Sequence, residues 1–145
     1  MRLSIVAVGS IKDKALRAAT DDYLKRVRRY EACDEVELCS APAPKLSSAF
    51  AKATEQATVN ALEVHGRSLN SEQFARDIER YAARGKGIVA FLIGGADGLP
   101  AETSKAAADR ISLSALTFPH RLARLMLAEQ LYRAMTILRG EPYNH

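Results

Sequence analysis

Apolar residues along the chain recur in two rhythms, and the switches between them divide it into alternating strands and helices. Residues 3–8 form an apolar, partly β-branched run closed by Gly9-Ser10, the mark of a buried strand. Leu16, Ala19, Tyr23 and Val27 then return at helical spacing and predict a helix over 14–30. Residues 35–39 alternate and suggest a second strand, followed by a Pro42-Ala43-Pro44 loop. Ser48 is a candidate cap for a helix reaching about Ala57. Residues 58–64 fit either a strand or a continuation of that helix, with Gly66 as the terminator of both. Asn70 and Gln73 have capping-box spacing and open a helix through Phe74, Ile78 and Tyr81, ending at Gly85-Lys86-Gly87. Residues 88–93 are continuously apolar and too few for a helix, so they predict a central strand buried on both faces. A glycine-rich turn over 94–100, a short helix over 101–108 and a strand over 111–116 follow. Pro119 then opens a last helix over 122–138, ended by Gly140 and Pro142.

Strands alternating with helices imply an α/β domain with a largely parallel sheet, one domain over 1–145. The last helix is unusual: 12 of its 17 positions are hydrophobic, more than one buried face requires. Its second cover is either the rest of the monomer or another subunit, and the small size of the chain favours a dimer.

Composition narrows this picture. At 145 residues and 48% hydrophobic the chain holds one core, and no apolar run approaches a membrane span. A soluble, cytoplasmic protein is expected. Net charge is +4, concentrated in 12–30, where seven basic residues face three acidic ones. That permits a polyanionic partner without demanding one. Two cysteines, Cys33 and Cys39, match neither a disulfide framework nor a zinc pattern.

In parallel α/β sheets, ligands bind beyond the carboxyl ends of strands, which singles out the loops at 94–98 and 114–119. Gly94, Gly95 and Gly98 let backbone approach a ligand, but their spacing is neither a dinucleotide fingerprint nor a phosphate loop. His65, His120 and His145 lack metal-ligand spacing, so no metal is expected, and no G-x-S-x-G elbow is present. Glu129 and Arg133 are spaced as a helix ion pair.

Several segments nevertheless resemble one family closely. Ile93-Gly94-Gly95-Ala96-Asp97-Gly98-Leu99 resembles its "IGG-x-x-G-L" loop, and 113–120 its "LS-x-x-T-(F/L)-PH" segment. Residues 125–143 resemble its "E-Q-x-Y-R-A-x-x-I-x-x-G-x-x-Y" tail, and Leu62-Glu63-Val64-His65-Gly66-Arg67 its "L-D/E-x-x-G-K" turn. The family is the RlmH (YbeA-like) group of SPOUT-class ribosomal large-subunit pseudouridine N3-methyltransferases. The resemblance implies a parallel-rich sheet flanked by helices, with a C-terminal trefoil knot, and a homodimer. It implies S-adenosylmethionine bound by Leu62, Gly94, Gly95 and the run Leu113, Ser114, Ala115, Leu116, Thr117 and Phe118. The implied reaction methylates N3 of pseudouridine 1915, in reference numbering, in helix 69 of 23S rRNA on the assembled ribosome. His120, Arg133 and Tyr143 are its candidate catalytic residues: a base or a helix cap, an RNA phosphate or base-edge contact, and a stacking ring. The tail departs from the family's Tyr-His-Lys/Arg ending, reading Tyr143-Asn144-His145. Two rival readings share these residues, a SPOUT methyltransferase with another RNA target and a catalytically silent ribosome-binding dimer.

Overall fold

The computed structural model describes residues 1–143. Five strands, β1 (Arg2–Val8), β2 (Ala32–Leu38), β3 (Thr58–Ser68), β4 (Ile88–Ile93) and β5 (Asp109–Ser112), form one sheet in the order β2-β1-β4-β3-β5. Every pairing is parallel. Five helices connect and cover it: α1 (Lys14–Val27), α2 (Ala43–Ala53), α3 (Ser71–Arg84), α4 (Ala101–Ala106) and α5 (His120–Leu138).

Side-chain alternation assigns each face its cover. Leu3, Ile5 and Ala7 of β1, with Val89, Phe91 and Ile93 of β4, pack against Leu24 and Val27 of α1, Phe74 and Ile78 of α3, and Leu127 and Leu131 of α5. The intervening positions Val6, Val8 and Leu92 meet Leu46 and Phe50 of α2. Residues 89–93 are all buried, as expected of a central strand covered on both sides.

The capping box forms as expected. The Asn70 side chain accepts from the Gln73 amide at 2.8 Å, and the Gln73 side chain accepts from the Asn70 amide at 2.9 Å. Other boundaries move, each for a local reason. The first helix ends at Val27, with a turn carrying the chain through Tyr30, and β2 starts earlier, at Ala32. Residues 42–44 are not a loop. Pro42 sits at the N-cap of α2 and Pro44 in its first turn, where a missing amide hydrogen costs nothing. Ser48 lies inside that helix and donates to the Pro44 carbonyl at 3.1 Å. The ambiguous segment is a strand, and it runs through Gly66 instead of stopping there. The last strand begins two residues before Ile111 and ends at Ser112. Beyond that point local side-chain bonds replace the ladder: Ser112 Oγ donates to the Ser114 carbonyl at 2.8 Å, and Ser114 Oγ accepts from the Leu116 amide at 3.0 Å.

The β3–β5 pairing is irregular. Ile111 is the partner of both Leu62 and Arg67, so 63–66 bulge out of the ladder between them. A Cβ on Gly66 would lie 2.6 Å from the Ile111 carbonyl carbon, so only glycine lets the strand return this closely. The far side of this junction is tied electrostatically. Asp109 of β5 accepts from Arg67 and from the Tyr81 hydroxyl of α3. Burial pushes the Asp109 carboxyl up, but these bonds and the Arg110 amide outweigh it and hold the group below the usual carboxylate range.

A second charged knot fixes α5. Arg124 is fully buried, and its Nη1 donates to Glu35 at 3.0 Å and to Glu37, both on β2. Its Nη2 donates to the Gly9 carbonyl at 3.1 Å, while Nε finds no acceptor among the described residues. Arg17 of α1 adds a bond to Glu35 at 2.6 Å. Removing one member of such a buried set typically costs about 3–5 kcal/mol, because the remaining charge stays buried.

Candidate functional site

Beyond the carboxyl ends of β4 and β5, against the bulge in the middle of β3, lies a cavity of about 800 Å³, within the usual range for small-molecule sites. Three segments build its wall: the β3 bulge, the turn after β4, and the loop from Leu113 into the first turn of α5. Of the residues expected at a ligand site, Leu62, Gly94, Gly95, Leu113, Ser114, Leu116, Thr117 and Phe118 line it, as does His120. Ala115 does not reach the wall and is exposed beside it. Leu116 is 73% exposed at the mouth, an apolar side chain that an occupant would cover.

The β4 turn is packed too tightly for side chains. A Cβ on Gly94 would stand 2.3 Å from the Gly98 carbonyl carbon and 2.5 Å from the Leu99 nitrogen. The turn closes through a Gly98 amide donating to the Gly95 carbonyl at 3.0 Å. Backbone, not side chain, therefore faces the cavity at this edge.

Glu63, Val64 and His65 also line the cavity. Sequence reasoning reached only Leu62 here, because a bulge has no periodicity and Gly66 reads as a terminator. The spacing of Gly66 and Arg67 after Leu62 was the available signal.

Arg133 and Tyr143 are not at this cavity. His120 opens α5 and Arg133 lies thirteen residues along it, roughly 20 Å away at the helical rise. Arg133 pairs with Glu129 at 2.6 Å, with both side chains mostly buried, so this is more than a surface pair. Its guanidinium carbon lies 4.6 Å from the centroid of the Tyr143 ring, which in turn meets Tyr132 edge-on at 4.7 Å. Burial, then a hydrogen bond with Tyr23 and the Glu129 charge, push the Tyr143 phenol up to about 12, so it stays protonated near neutral pH. The departures at Asn144 and His145 lie outside the described residues.

The basic stretch of α1 is partly engaged with the protein itself. Arg26 pairs with Asp22 at 2.9 Å and lies over the Tyr23 and Tyr132 rings, while Arg28 donates to the Cys33 carbonyl at 2.8 Å. Cys33 is a buried free thiol, pushed up to about 12 by burial, and Cys39 is free and exposed. Among the described residues, no three His, Cys, Asp or Glu side chains gather as metal ligands, and no helix is long and apolar enough to cross a membrane. A smaller cavity of about 320 Å³ lies between α2 and α4, lined by Phe50, Leu92 and Thr103 among others.

The family described as "Predicted SPOUT methyltransferase" matches over residues 1–145. The chain belongs to the SPOUT methyltransferase family. Among curated relatives, "Ribosomal RNA large subunit methyltransferase H" of Sorangium cellulosum (strain So ce56) is 63% identical over the whole of both chains. The protein of the same name from Exiguobacterium sp. is 40% identical, covering 99% of each chain. Solved structures share the fold at low identity. A probable methylase family protein from Haemophilus influenzae Rd KW20 has a TM-score of 0.64 at 12% identity, covering 99% of this chain and 70% of that one. The tRNA (m1G37) methyltransferase of Aquifex aeolicus has a TM-score of 0.59 at 13% identity, covering 100% and 75%.

The glycine packing yields a direct test. Gly94→Ala should open the β4 turn and weaken ligand binding at the cavity by at least about tenfold, since 2.3 Å is far inside contact distance. Calorimetric titration with S-adenosylhomocysteine checks this, and unchanged affinity would show that the turn does not shape the site.

Proposed function

We propose that this SPOUT methyltransferase moves a methyl group from S-adenosylmethionine to N3 of pseudouridine 1915 in helix 69 of 23S rRNA, acting on the assembled ribosome as a cytoplasmic homodimer. The observation that carries the reading is the cavity at the strand ends, lined by the segments the family resemblance nominates, in a chain 63% identical end to end to a curated rRNA large subunit methyltransferase H. The reading includes a trefoil knot in the C-terminal half.

The residues suit such a donor. Leu113, Leu116 and Phe118 offer an apolar slot for a purine, and the Gly94-Gly95 backbone can meet polar atoms without steric interference. When bound, the sulfonium supplies a methyl already activated for displacement. What remains for the protein is alignment and removal of the N3 proton. His120, on the cavity wall, accepts that proton. Arg133 holds an RNA phosphate or base edge, and Tyr143 stacks on a base.

The distance along α5 gives the dimer a chemical purpose in this reading. His120 and Arg133 of one chain are too far apart for one site. An antiparallel pairing of α5 with a second copy brings His120 of one chain toward Arg133 of the other. Leu122 and Met126, 37% and 41% exposed on α5, offer apolar surface for that contact.

Two measurements test these statements. Labelled S-adenosylmethionine is supplied with ribosomes lacking the modification and, separately, with free rRNA, and the product is mapped by mass. Label at the helix 69 pseudouridine with ribosomes alone is the expected result. Label elsewhere would point to another RNA target, and donor-free RNA binding without transfer to a silent binding module. In the second, His120→Ala and Arg133→Ala chains are each expected to be nearly inactive. Mixed and allowed to exchange, they should recover about a quarter of wild-type activity, since half the dimers then hold one site free of both substitutions. No recovery on exchange would contradict a site shared between subunits.

A further inference from the structure

The cavity wall carries one carboxylate among the described residues, Glu63, in the β3 bulge. The side chain is half-buried, yet among the described residues it has neither a hydrogen-bond nor an ion-pair partner. Among the described residues, the other carboxylates drawn into the protein, such as Asp77, Asp109, Glu35 and Glu129, are paired with an arginine. A carboxylate held against a cavity with no protein partner is set for a ligand cation or hydrogen-bond donor. Among the described residues, nothing else on the wall can neutralise a cation: His65 and His120 carry no negative charge, and the Ser114 oxygen already accepts from the Leu116 amide.

From this we infer that Glu63 is a specificity-determining residue that binds the α-ammonium group at the methionine end of the methyl donor. The inference rests on the donor reading above and assigns one end of that ligand. The donor offers three groups a carboxylate could meet: the sulfonium, the ribose hydroxyls and the ammonium. A carboxylate at the sulfonium would favour the charged reactant over a transition state in which that charge is fading, and so would slow transfer. Ribose hydroxyls are neutral and can be served by backbone and the Thr117 hydroxyl, both already on the wall. The ammonium is the donor's one hydrogen-bonding cation, and leaving it without a counter-charge is costly once water is displaced. The bulge thus has a chemical use: it swings the residue after Leu62 out of the ladder and into the cavity.

Calorimetric titration of wild type and Glu63→Gln at neutral pH distinguishes the groups, with four probes. These are S-adenosylmethionine, S-adenosylhomocysteine, an S-adenosylhomocysteine analogue lacking the α-amino group, and 5′-methylthioadenosine, which lacks the whole amino-acid end. The substitution should weaken the first two by the same factor, about tenfold, the usual effect of losing a charge-assisted hydrogen bond. It should leave the last two unchanged, which also shows that the variant is folded. Equal affinities of both proteins for every probe would overturn the inference, as would a loss confined to S-adenosylmethionine or a loss extending to 5′-methylthioadenosine. If wild type binds none of the four, the donor reading itself falls and takes this inference with it.

Discussion

The cavity exists because β3 leaves its ladder with β5 after Leu62 and rejoins it at Arg67, both times opposite Ile111. Four residues, 63–66, are thereby displaced toward the strand ends while the sheet stays continuous. The return is possible only where Gly66 lies against the Ile111 backbone, with no room for a Cβ. A second contact of the same kind, Gly94 against Gly98 and Leu99, folds the neighbouring turn down on the other side. Two backbone-on-backbone contacts thus open a space between adjacent parallel strands that would otherwise be closed by side chains.

The third wall needs a different device. The loop after β5 has no ladder to hold it, and it leads directly into α5. Arg124, one turn past His120, secures that end through Glu35, Glu37 and the Gly9 carbonyl. A buried guanidinium is an expensive way to attach a helix to a sheet. Its return is directional: bonds to two carboxylates of β2 and to the loop carbonyl of Gly9 fix the rotation of α5, and with it the side chains of the first turn, more tightly than apolar contacts would. Arg67, Asp109 and Tyr81 tie the other end of β5 in the same manner.

Much of this was legible in the residues, and what was not has a physical explanation. The capping box at Asn70, the doubly buried β4 and the glycine turn follow from local rules that the tertiary structure does not override. The β3 bulge was hidden because residues 58–64 satisfy both periodicities, and because Gly66 serves a close approach that no local pattern encodes. The start of α2 was obscured by two prolines that look like a loop but suit a first helical turn. The late strand was misplaced toward Leu116 because its serines divert the backbone into local bonds after Ser112. The excess apolarity of α5 was visible, but not its division. Leu127, Ala128, Leu131 and Met135 are spent on the monomer's own core, while Leu122 and Met126 remain uncovered. The site residues divide in the same way: motif resemblance found the two loops, but the spacing of Arg133 and Tyr143 from His120 emerges only from the length of α5.

The cavity framed by these two glycine contacts is the proposed seat of the methyl donor. Amide hydrogen exchange with and without S-adenosylmethionine tests it without substitution or turnover. Protection should concentrate in 62–66, 93–99 and 113–120, the three segments of the wall. Protection in α2 and α4 around the smaller cavity, with those three segments unchanged, would contradict the claim.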